Sequence, residues 1–159
     1  CSSDLDNKET AGTKFELAEH LEEIAAEIYT LIAKRFPDDA KTRQIFERMA
    51  EEERQHAERI RMFKTRYLTN PKKFHEVLLD VELIRSLIAE GETLKTILDR
   101  SPELSHNEAM GLMFKIEEKF ATAHAHCMAS SSDPEVRQLF ELLSKQDRQH
   151  AELLAKQNA

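Results

Sequence analysis

The chain contains few of the residues that interrupt helices or cross-link chains. Its 159 residues include three glycines, four prolines, two cysteines and no tryptophan. With 6% aromatic and 33% charged residues, this composition is typical of a helical protein with polar outer faces. The two cysteines, Cys1 and Cys127, cannot form a disulfide framework, and without a CxxC pair they exclude a zinc ribbon and a cysteine-bound iron–sulfur cluster.

The chain also lacks an excess of positive charge and any long apolar run. Its net charge of -7 argues against nucleic acid as a partner, because phosphate binding needs a basic surface. No apolar run approaches the ~18 residues of a transmembrane segment, so we expect a soluble protein. The cysteine usage is compatible with a reducing cytoplasm, which is the predicted location. Three explanations fit Cys1 at the start: loss of an initiator methionine, trimming of the chain, and a lipoprotein maturation site that would carry a lipid anchor.

The length and the periodicity predict one domain with four main helices. Residues 1–13 are polar and aperiodic and are predicted to form a flexible leader, so the domain is placed at residues 14–159. The predicted helices run from about Lys14 to Arg35, from about Asp39 to Leu68, from Ser105 to about Met128, and from Asp133 nearly to the end. These form two helix pairs, which predicts an all-α, antiparallel four-helix bundle.

Two local features concern the segment between the second and third main helices. The connection from Pro71 to His106 contains helical stretches broken by Ser101 and Pro102, so we expect a long, partly helical crossover. Ser105 and Glu108 have the spacing of a capping box, which predicts where the third main helix opens.

A segment of 16 residues occurs twice. RQIFERMAEEERQHAE covers 43–58 and RQLFELLSKQDRQHAE covers 137–152, and nine of the 16 positions are identical. In each copy an acid precedes a histidine by three residues: Glu53 with His56, and Asp147 with His150. Side chains three apart lie on the same face of a helix, so each pair presents a carboxylate and an imidazole towards one point. Two such pairs can hold a metal cluster between them.

Both pairs fall on the apolar side of their helices. At about 100° per residue, Glu53 and His56 lie within the apolar stripe that includes Met49 and Ile60, and the second pair lies in the equivalent stripe of the fourth helix. Burying an acid and a histidine is costly unless they are paired or bind a metal. A coincidental surface pair would explain one copy, but the duplication favours a metal site.

The other two main helices must supply further acids. The first offers Glu22, and the third offers Glu117 and Glu118. By helical angle Glu117 lies near the middle of the apolar stripe and Glu118 points away from it. By spacing, Glu22 precedes His56 by 34 residues and Glu117 precedes His150 by 33. Both arguments favour Glu117 over Glu118.

The pattern resembles the di-iron site of the rubrerythrin branch of the ferritin-like superfamily. The residues that carry the resemblance are Glu22 with Ala25 and Tyr29, Glu53-Arg-Gln-His56, Glu117, and Asp147-Arg-Gln-His150. It implies two iron ions per chain, or manganese in their place, with Glu22, Glu53, Glu117 and Asp147 as acid ligands and His56 and His150 as nitrogen ligands. Carboxylate and imidazole ligands suit iron or manganese.

The resemblance implies reduction of hydrogen peroxide, or oxidation of Fe(II) by oxygen or peroxide. A continuous peroxidase needs an external electron donor such as a rubredoxin, since the chain contains no source of electrons. Tyr29 is the predicted neighbour that donates a hydrogen bond or an electron, with an ordinary core tyrosine as the alternative. A homodimer is expected by analogy with the family.

The chain departs from the family pattern at three positions. Asp147 replaces a glutamate and is one methylene shorter, which predicts a second metal that sits closer to the fourth helix or binds more weakly. His124, at the position that matches Tyr29, is a candidate proton donor, added ligand or packed core residue. Phe120 stands where rubrerythrins often carry an extra glutamate. Asp147 and His124 raise the alternative of a helical scaffold with a degenerate metal site. A ferroxidase and an iron-storage shell are the other two alternatives.

Overall fold

A computed structural model describes the backbone of residues 3–70, 79–130 and 133–158, and the side chains of residues 12–70, 79–127 and 133–157. This part of the chain is all helical and contains no strand, so the predicted all-α class is confirmed. The five helices are α1 Ser3–Ala33, α2 Ala40–Thr69, α3 Val81–Arg100, α4 His106–Ser130 and α5 Pro134–Asn158. Cys1 lies outside the described residues.

Side-chain caps mark the starts of four helices, including α3, where Asp80 Oδ1 accepts from the backbone N–H of Leu83. Asp39 Oδ1 accepts a hydrogen bond from the backbone N–H of Thr42, 3.0 Å away, and opens α2. At α4 the predicted capping box is confirmed: the N–H of Glu108 donates to Ser105 Oγ, and the N–H of Ser105 donates to Glu108 Oε2. At α5, Asp133 Oδ1 accepts a hydrogen bond from the backbone N–H of Val136. The helix boundaries that matter for the site are therefore set by local sequence.

α1 begins at Ser3 rather than near Lys14, so the predicted start of this helix was too late. The prediction relied on the missing apolar periodicity in residues 1–13. Periodicity reports burial, however, whereas a helix that is already nucleated gains one hydrogen bond for each residue added to it. A polar segment can thus extend an amphipathic helix. The division into a leader and a domain stays a prediction.

Between α2 and α4 the described residues contain one continuous helix, α3, and residues 71–78 lie outside the described part. α3 packs against α1 and α4. Its Gly91 allows close approach to α1, because a Cβ at this position would lie 2.6 Å from Ile24 Cγ2. Near the C-terminal end of α3, Arg35 donates to the carbonyl oxygens of Leu98 and Ser101, which ties this end to the C-terminal end of α1.

The two hairpins pack through apolar faces. α1 packs on α2 and α4 packs on α5, and α2 contacts α5 across the hairpins. Exposed ion pairs such as Arg61 with Glu19 bridge α1 and α2, but pairs of this kind contribute only about 0–1 kcal/mol. Burial of large side chains such as Tyr29, Phe46 and Phe140 supplies more. Four of the five helices also bury charged side chains in this interior.

None of the described helices combines the length and the apolar character that crossing a membrane requires.

Candidate metal centre

The interior holds an unusual set of buried polar side chains. These are Glu22, Glu53, His56, Glu117, His124, Ser144, Asp147 and His150. All six predicted metal ligands are among them, and each is at most 1% exposed. Glu118, the rejected neighbour of Glu117, is exposed. Carboxylates are almost never fully buried unless they are paired, so this concentration needs a chemical explanation.

The predicted ligands form two groups of side chains. In each group the potential ligand atoms all lie within 4.8 Å of one another. The first, here the His56 group, consists of Glu22, Glu53, His56 and Asp147, and the second, the His150 group, consists of Glu53, Glu117 and His150. Glu53 belongs to both, so its two carboxylate oxygens lie between the groups.

The structure separates Asp147 from His150, although the sequence predicted that this pair presents both ligands towards one point. Asp147 belongs to the His56 group instead. Three residues span about 4.5 Å along a helix axis, so two side chains on one face can reach different points. Any effect of the short Asp147 side chain therefore falls on the His56 group.

Both imidazoles turn the same nitrogen towards the carboxylates. His56 Nδ1 lies 2.9 Å from Glu53 Oε2 and 3.5 Å from Glu22 Oε2. His150 Nδ1 lies 2.7 Å from Glu53 Oε1 and 3.5 Å from Glu117 Oε1. The two rings are nearly parallel, with centroids 6.2 Å apart. Glu53 thus contacts both histidines, one through each oxygen.

The outer nitrogens have partners of their own, which the sequence did not predict. His56 Nε2 lies 2.6 Å from Gln146 Oε1, and His150 Nε2 lies 2.8 Å from Glu52 Oε2. With one proton directed at these acceptors from Nε2, Nδ1 is the nitrogen that faces the cluster, and it would donate its lone pair to a cation once its own proton is displaced. Glu52 and Gln146 occupy equivalent positions of the repeat, each four residues before its histidine, which is the signal that could have identified them.

Several atoms of the cluster form no hydrogen bond of acceptable geometry within the described part of the chain, even where another cluster atom lies close, as Glu53 Oε1 and His150 Nδ1 do at 2.7 Å. They are both carboxylate oxygens of Glu22, Glu53 Oε1, Glu117 Oε2, Asp147 Oδ1 and His150 Nδ1. An unsatisfied buried polar atom costs about 1–3 kcal/mol, and more when it is charged. Lone pairs that converge without hydrogen bonds suit cations, so the residues present fit a metal centre.

The pKa values of these side chains also indicate that the cluster attracts positive charge. Burial and the charges of Glu22 and Glu117 raise the pKa of Glu53 to about 8. Burial alone would lower the pKa of His56, but Glu22 and Glu53 outweigh it and raise this pKa to about 10. In the same way Glu117 and Glu53 raise the pKa of His150 to about 12. Protons therefore supply the positive charge in the metal-free cluster, and metal ions would displace them.

The model of the Rubrerythrin family matches residues 15–156, which covers nearly the whole chain. The chain belongs to the rubrerythrin family. The resemblance expected from the sequence is thereby confirmed, and with it the assignment to ferritin-like, non-haem di-iron proteins that bind iron. No curated protein and no solved structure matches the chain.

His124 lies against the His56 group. It is 3% exposed. Its Nδ1 lies 2.5 Å from Asp147 Oδ2, and its Nε2 lies 3.1 Å from Glu22 Oε1. Burial alone would lower the pKa of His124, but the charges of Asp147 and Glu22 raise it well above the ordinary value. The imidazole thus bridges two of the predicted acid ligands.

Tyr29 lies on the side of the His150 group. Its hydroxyl donates a short hydrogen bond to Glu117 Oε1, and its ring packs edge-on against His150 with centroids 5.7 Å apart. Burial and the charge of Glu117 raise the pKa of Tyr29 well above 10, so the hydroxyl keeps its proton.

Cys127 is buried as well, but it belongs to neither group. Both groups therefore contain only oxygen and nitrogen donors.

Proposed function

We propose that the two groups hold two iron ions and that this rubrerythrin reduces hydrogen peroxide with electrons from an external donor. The observation that carries the proposal is the position of Glu53. Its two oxygens reach Nδ1 of His56 and Nδ1 of His150, at 2.9 and 2.7 Å. A carboxylate shared in this way would hold two cations next to each other.

The ligand assignment follows the two groups. Glu22, His56 and Asp147 would hold one ion, Glu117 and His150 would hold the other, and Glu53 would contact both. Oxygen and imidazole donors suit iron, with manganese as the alternative metal. The four acids and two histidines come from α1, α2, α4 and α5, which we propose to form the ferritin-like antiparallel bundle with α3 in the crossover.

When bound, two ferrous ions would supply the two electrons that cleave the O–O bond of hydrogen peroxide. The protein groups around them would control protons and orientation. Tyr29 holds Glu117 in place through its hydroxyl and keeps a proton beside the His150 group. His124 holds Asp147 and carries a proton at Nε2, 3.1 Å from Glu22 Oε1, beside the His56 group. His124 is thus placed as a proton donor during catalysis, and Tyr29 as the donor of a hydrogen bond to Glu117.

Repeated turnover needs a partner that restores the two electrons. A small redox protein such as a rubredoxin is the kind of partner that family membership supports. A homodimer is proposed on the same analogy.

Stopped-flow mixing of the anaerobically reduced, iron-loaded protein with peroxide or with oxygen tests the function. We expect two irons per chain and faster oxidation by peroxide, because peroxide cleavage takes two electrons whereas full reduction of oxygen takes four. His150→Ala should abolish this difference by removing a ligand of one ion. Equal rates with oxygen would favour a ferroxidase. A protein that binds no iron after loading would favour the scaffold.

A further inference from the structure

The outer nitrogens of the two histidines have acceptors that are equivalent in sequence and different in charge. His56 on α2 reaches Gln146 on α5, and His150 on α5 reaches Glu52 on α2. Position 146 follows position 52 by 94 residues, as His150 follows His56, so the two contacts are related by the internal repeat. Each crosses from one hairpin to the other. Only the chemistry of the acceptor differs between them.

Glutamate and glutamine have nearly the same shape, so the difference is one of charge alone. A carboxylate that accepts from the outer nitrogen of a histidine makes its inner nitrogen a stronger donor. A neutral amide does so less. Arg48 Nε lies 3.4 Å from Glu52 Oε1, but this pair is exposed enough for solvent to screen it. The contact with His150 Nε2 is shorter, at 2.8 Å, and lies against a buried side chain.

We propose that Glu52 and Gln146 are positioning residues that give the two metal ions different affinities. Glu52 strengthens the binding of the ion held by His150. Gln146 leaves the ion held by His56 more weakly bound than a glutamate would. The proposal rests on the two-ion site proposed above. The charged acceptor serves the group with three ligand residues and the neutral acceptor serves the group with four. The charge of Glu52 thus offsets the smaller ligand set.

Cobalt(II) titration of the metal-free protein, followed by calorimetry and visible absorption, measures the affinities without redox chemistry. His56→Ala and His150→Ala identify which binding event belongs to which imidazole. Glu52→Gln should weaken cobalt binding by the His150 group by on the order of tenfold and leave cobalt binding by the His56 group unchanged. Gln146→Glu should strengthen cobalt binding by the His56 group only. The double exchange should show both effects.

Glu51→Gln is the matched control, because Glu51 is an exposed acid on the same helix and contacts Arg54 rather than a histidine. It removes the same charge and should change neither event. Equal effects of Glu51→Gln and Glu52→Gln, or equal weakening of both events by Glu52→Gln, would overturn the inference and leave the two-ion site intact. A wild-type protein that takes up neither cobalt nor iron would instead overturn the proposed function.

Discussion

His124 Nδ1 on α4 lies 2.5 Å from Asp147 Oδ2 on α5. This contact joins two of the departures from the family pattern. Asp147 is a methylene shorter than the glutamate expected there, and His124 occupies space next to its carboxylate. One oxygen of Asp147 is held by the imidazole, and the other, Oδ1, has no hydrogen-bond partner in the described structure. We therefore expect the two residues to depend on each other energetically.

This contact predicts that Asp147→Glu is unfavourable on its own. The added methylene would push the carboxylate into His124 at a site with no exposed surface, and overpacking of this kind costs about 1–3 kcal/mol of unfolding free energy. His124→Ala removes the obstacle, so the double variant should be more stable than the sum of the single changes predicts. Urea unfolding of all four metal-free proteins measures the coupling. Additive effects would show that the residues are independent.

Glu117→Ala should lower the metal content from two ions per chain to one or none. The change removes a proposed ligand from the His150 group, and this side chain has no exposed surface. Glu118→Ala is the control, since its side chain is exposed on the same helix and should leave the metal content unchanged. Elemental analysis after iron loading decides between them. Equal losses from both variants would refute the assigned helical register.

Tyr29→Phe should keep both metal ions but slow the reaction with peroxide. It removes the hydrogen bond to Glu117, and a bond to a charged group contributes about 1.5–3 kcal/mol. The part of this contribution that is made only in the transition state should appear as a slower rate, by up to about 100-fold. Tyr67→Phe is a suitable control, because Tyr67 is also buried and packs against Phe15 rather than a ligand. Stopped-flow rates are compared at equal iron content. An unchanged rate would make Tyr29 an ordinary core tyrosine.

Gly91→Ala should destabilise the protein, by about 1–3 kcal/mol, because its Cβ would lie 2.6 Å from Ile24 Cγ2 where α3 packs on α1. Gly111→Ala is the matched change on α4, where nothing lies within 4 Å of the new Cβ. There the higher helix propensity of alanine should stabilise by about 0.8–1 kcal/mol. Chemical denaturation of the metal-free proteins measures both. Destabilisation by both variants would show that close packing at Gly91 is not the cause.

Sequence by itself determined what depends on local periodicity and on the internal repeat. The scarcity of glycine and proline predicted the helical class, and the capping box of Ser105 with Glu108 predicted the start of α4. The paired motifs around His56 and His150 predicted the family, which the family match confirms. Helical angle also separated Glu117 from Glu118, because burial repeats with the helix period. The roles of the six residues as ligands stay a prediction.

Tertiary structure decided which of these side chains share a point in space. Two residues on one helix face differ in height along the axis, so only the packing of α2 against α5 could place Asp147 with His56 rather than with His150. The same packing brings Glu52 and Gln146 to the outer nitrogens across the hairpins. Contacts between helices depend on how the helices are shifted along one another, and the periodicity of a single helix carries no information about that shift.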